Sequence, residues 1–245
     1  MVTPWSPPRR TEILATSSPQ QRQRQDHMAG AKCKIKVGAV RVLDESNELS
    51  SSDEPYVIVY VADVSKMIAG ISVPNAKTTL YAFTDADQGE LMTTIMDDQF
   101  PRPAHPSFPI SEYCWGPDDK PTQIDGPDQL IILAGMMEND DGSPSAARAV
   151  VNGLMAGSIA NMAGSGLARA DMVKRLTTDL DGALTQARIT GAPDFDDRVG
   201  PVMEVRLTQA DLDVVAQHKT ASKTVTFNGG DADGAYRVRF DLVPG

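Results

Sequence analysis

From Tyr236 to Leu242 every second residue is large and apolar (Tyr236, Val238, Phe240, Leu242), and the residues between them are charged (Arg237, Arg239, Asp241). A period of two over this length describes a strand with one face on a core and the other in water, an arrangement antiparallel sheets permit. Upstream, KTVTF over 223–227 and the turn NGGDADG complete a hairpin, because Gly, Asn and Asp supply the conformations such turns need. Lys34 to Val37 and Val40 to Val42 alternate on either side of Gly38-Ala39, which predicts one strand with a bulge or bend. Tyr56 to Val61 (YVIVYV) is an unbroken β-branched and aromatic run and reads as a buried strand. Further strands are expected at 78–83 and 129–136. Several short strands separated by Gly/Asp turns predict a mainly β chain built as an antiparallel β-sandwich.

One helical block interrupts the strands. Ser143-Pro144 sets a capping residue before a proline at the first helical position, and Val151, Met155, Ile159 and Met162 follow at helical spacing. MAGSG ends that helix, and a second begins near Ala168 with Met172, Leu176, Leu180 and Leu184 on one stripe. The pair predicts a helical hairpin inserted over about 143–190. Ala149 to Ala168 carries no charge and contains Gly153-x-x-x-Gly157, the length and spacing of a membrane helix. Asn152, Asn161, Ser158, Ser165 and four glycines stand where insertion needs Leu, Ile and Phe, so a helix buried in a water-soluble domain is expected.

Residues 1–30 hold four arginines, four prolines and the run QQRQRQ, without an apolar block of signal-peptide type. They read as a disordered leader, with 31–245 forming a single domain. That reading points to the cytoplasm, with non-classical export as the other route.

Charge narrows the function. With 23 Lys+Arg against 33 Asp+Glu the net charge is -10, which repels a phosphate backbone and excludes unaided nucleic-acid binding. Three histidines leave little material for His-based catalysis, and Cys33 and Cys114 lack metal-ligand spacing, leaving one bridge or two free thiols open. DADQGE at Asp85 begins like an EF-hand loop but lacks its glycine and its final glutamate; no phosphate loop or nucleophile elbow is present.

The acid is concentrated between the predicted strands: Asp44, Glu45, Glu48, Asp53 and Glu54; Asp85, Asp87 and Glu90; Glu138, Asp140 and Asp141; Asp194, Asp196 and Asp197; Asp231 and Asp233. Clustered carboxylates repel unless they are solvated, protonated or neutralised, and a hard cation such as Ca²⁺ takes six to eight oxygens from several loops. The segment LDESNELSSSDEPYVIV resembles the first calcium loop of the C-two domains, calcium-dependent lipid-binding modules, with Asp44 and Asp53 at the family's two aspartates and Glu54 inserted after the second. LIILAGMMENDDG, carrying Glu138, Asp140 and Asp141, and DDRVG, carrying Asp196 and Asp197, resemble the family's later acidic loop. Glu138 stands where the family has aspartate, the hairpin interrupts that loop, and no basic strand face stands out.

The resemblance implies a sandwich that holds Ca²⁺ between Asp44, Asp53, Glu138, Asp140, Asp141, Asp196 and Asp197. A non-enzymatic module for adhesion, targeting or protein interaction is therefore expected, with a protein partner, a second copy or a membrane surface as its target. Two alternatives use other features: a membrane-active or self-assembling protein acting through the 149–168 hairpin, and a metal-dependent hydrolase using the same carboxylates.

Overall fold

The computed structural model describes residues 30–44, 54–65, 75–83, 89, 91–93, 113–116, 120–139, 143–188, 197–230 and 234–245. In chain order these form β1 (Ala31–Asp44), β2 (Pro55–Asp63), β3 (Ala76–Ala82), β4 (Leu91–Thr93), β5 (Thr122–Ile124), β6 (Leu130–Glu138), α1 (Pro144–Met162), α2 (Arg169–Arg188), β7 (Asp197–Arg198), β8 (Met203–Glu204), α3 (Gln209–Ala216), β9 (Ala221–Gly230) and β10 (Gly234–Pro244). The leader assigned to 1–30 lies outside the described residues except for Gly30.

Sheet one runs β4-β1-β10-β9, with β5 paired to the start of β1. Sheet two runs β3-β2-β6-β7, with β8 also on β6. Every pairing is antiparallel. The expected irregularity in β1 is present as a register shift between Val37 and Ala39.

The two sheets differ because their outer faces differ. β2 and β6 are buried along almost their whole length. Val57, Val59, Val61, Ile132 and Ala134 face the core between the sheets, and Tyr56, Ile58, Tyr60, Ile131 and Leu133 face a second core on the other side. The helical hairpin completes that second core with Val151, Met155 and Ile159 of α1 and Met172, Leu176, Leu180 and Leu184 of α2. An unbroken apolar run is what a strand covered on both faces requires.

Local chemistry fixes the hairpin. Ser143 caps α1, its hydroxyl accepting from the Ala146 amide, and Pro144 opens the first turn. Gly164 and Gly166 adopt positive φ in the connection. A Cβ at Gly135 on β6 would stand 2.3 Å from Leu184 Cδ1, so the missing side chain lets α2 lie close on the sheet. Arg169 donates to the Leu130 carbonyl and pairs with Glu204 at 2.9 Å, while Arg198 pairs with Asp181 at 2.7 Å; both tie α2 to sheet two.

Helix α3 inserts Leu212 and Val215 into the core between the sheets. Thr208 and Asp211 form its capping box, and Asp211 also pairs with Lys223 of β9 at 3.0 Å. Burial alone would raise the Asp211 pKa, but hydrogen bonds from Thr208 and Lys223 outweigh it and hold it below the ordinary 3.8. Both cysteines are buried and free; the Cys114 thiol donates to the Ile35 carbonyl, and burial pushes Cys33 up to about 11, well away from a reactive thiolate. Trp115 anchors its segment into the sandwich core, bridging Ile35.

Tyr60 is buried beneath the hairpin, and its hydroxyl finds no hydrogen-bond partner among the described residues. A buried hydroxyl without a bond costs roughly 1–3 kcal/mol. Tyr60→Phe is therefore expected to stabilise the fold by about 1 kcal/mol, read as a higher midpoint in urea at an unchanged slope. A lower midpoint would mean that the hydroxyl is satisfied in solution.

Candidate functional site at the acidic end of the sandwich

The register of sheet two brings three strand ends into line. Pro55, first in β2, stands opposite Glu138, last in β6, and Glu138 stands opposite Asp197, first in β7. Glu54 joins them through its backbone: its amide donates to Glu138 Oε1 at 3.4 Å and its carbonyl accepts from the Asn139 amide at 3.2 Å. Asn139 Nδ2 also donates to Glu54 Oε2 at 2.8 Å. Glu138 is only 2% exposed, a carboxylate held inside the end of a sheet.

Sheet one ends at the same place. Asp44, last in β1, is opposite Ala235, and Ala235 is opposite Asn228 of β9. A Cβ on Gly200 would lie 2.7 Å from the Asn228 carbonyl oxygen, so the segment leaving β7 touches sheet one at this row. The Phe83 amide donates to the Pro55 carbonyl and the Gly89 amide to the Val42 carbonyl, which brings the end of β3 and the approach to β4 to this end too.

Five connections therefore leave and rejoin the sandwich at one end: β1 to β2, β3 to β4, β6 to α1, α2 to β7, and β9 to β10. The sequence at 45–53, 84–90, 140–142, 189–196 and 231–233 holds twelve carboxylates and neither lysine nor arginine. The described residues that flank the five acidic segments thus stand at one end of the fold, while the twelve carboxylates themselves lie outside the described residues. The opposite end carries the start of β9 and the Asp211–Lys223 pair.

Of the seven residues expected to hold Ca²⁺, Asp44, Glu138 and Asp197 are described, and Asp53, Asp140, Asp141 and Asp196 lie outside the described residues. Glu138 and Asp197 come together as cross-strand neighbours, and Asp44 belongs to the other sheet at the same end. Among the described residues no three His, Cys, Asp or Glu side chains gather closely enough to hold a metal. The donor chemistry, all carboxylate and amide oxygen, is of the type a hard cation takes. Glu54 was absent from the expected ligands, yet it is joined directly to Glu138 and Asn139. Its signal was the register: a residue just before Pro55 falls beside the end of β6. Arg198, the cation next in sequence to Asp197, is turned to Asp181 and to the Gly200 carbonyl.

No helix among the described residues is long and apolar enough to cross a membrane. No known family model, curated protein or solved structure matches the chain.

Proposed function

We propose that the chain is a non-enzymatic Ca²⁺-binding β-sandwich module of C-two-like type, serving adhesion, targeting or protein interaction. The observation that carries this reading is the meeting of five acidic connections at one end of the sandwich, with the Glu138–Asp197 row at its base. So much like charge at one end opposes folding unless a counter-ion offsets it, and a divalent cation bridging loops would do so at the least entropic cost. A cation held there would also turn an acidic tip into one that meets anionic groups on a partner.

Calorimetry with calcium and with EGTA tests this reading. Calcium at 100 times its dissociation constant is expected to add about 2.7 kcal/mol of stability, a rise in Tm of roughly 5–10 °C for a domain of this size. Asp53→Asn and Asp197→Asn are each expected to shrink that rise. The same Tm in calcium and in EGTA would sink the metal reading while leaving the sandwich intact.

A further inference from the structure

We draw no further inference here: the strongest candidate, the uncharged outer face of α1 where exposed Leu154 stands beside Gly153 and Gly157, is a small-residue stripe, and nothing in the structure shows what covers it.

Discussion

Leu176→Asp is expected to abolish the cooperative melting transition. Leu176 is fully buried on α2 within the core shared by the hairpin and sheet two. Truncating such a leucine costs about 2–5 kcal/mol, and an aspartate there adds the cost of a buried, unpaired carboxylate, several kcal/mol more. Domains have about 5–15 kcal/mol in total, so the sum consumes most of the stability. Thr178→Asp, two residues along on the exposed side of the same helix, is expected to change it by less than about 0.5 kcal/mol. Far-UV circular dichroism on heating separates the two, and matching melts for both variants would mean that α2 is not packed as described. The same core shows what removing 143–190 would do. Tyr56, Ile58, Tyr60, Ile131 and Leu133 would lose their cover, so any lost function in such a truncation would report unfolding rather than a role for the hairpin.

Gly200→Ala is expected to lower stability by about 2–4 kcal/mol, combining backbone strain with a steric clash. Gly200 has φ of 69°, and its missing Cβ would lie 2.7 Å from the oxygen and 3.0 Å from the nitrogen of Asn228. Those are backbone atoms of β9, so relief requires the two sheets to part where they meet beside the acidic end. Gly164→Ala and Gly166→Ala share the positive φ but have nothing within 4 Å, and each is expected to cost only about 1–2 kcal/mol. Gly153→Ala in mid-helix, also with open space, is expected to stabilise by roughly 0.5–1 kcal/mol. Chemical denaturation of the four variants gives the order. A loss at Gly200 no larger than at Gly164 would show that the sheets do not touch there.

Much of this architecture is legible from pattern, for identifiable reasons. The alternation of β10 belongs to a strand wet on one side, and the unbroken runs of β2 and β6 belong to strands covered on both. The helical hairpin was announced by its cap, its proline and its apolar stripes. The short pieces β4, β5, β7 and β8 span two or three residues, too few to show any period, and pairing partners alone define them. Helix α3 has eight residues, of which only Leu212 and Val215 are buried, so its signal was its capping box.

The site divides in the same way. Acid between strands is visible in one dimension, but that the strand ends flanking the five clusters lie at one end of the fold depends on register and strand order. The neighbours Arg41 and Arg237 show the complementary limit: they come from β1 and β10, at opposite ends of the chain, and only the pairing of those strands sets them side by side. Charges interleaved with apolar residues look like an ordinary solvated face until the facing strand is known.

The Lys223–Asp211 pair has a further consequence, for how this chain behaves when crowded. Among the described residues β9 pairs with β10 alone, so one side of a ten-residue strand offers its amides and carbonyls to any passing chain. Lys223 sits at an inward-facing position of that strand, tied to the cap of α3. A sheet extended from β9 would have to grow over a fixed ammonium rather than a flat apolar stripe, which makes this edge a poor template for fibril growth.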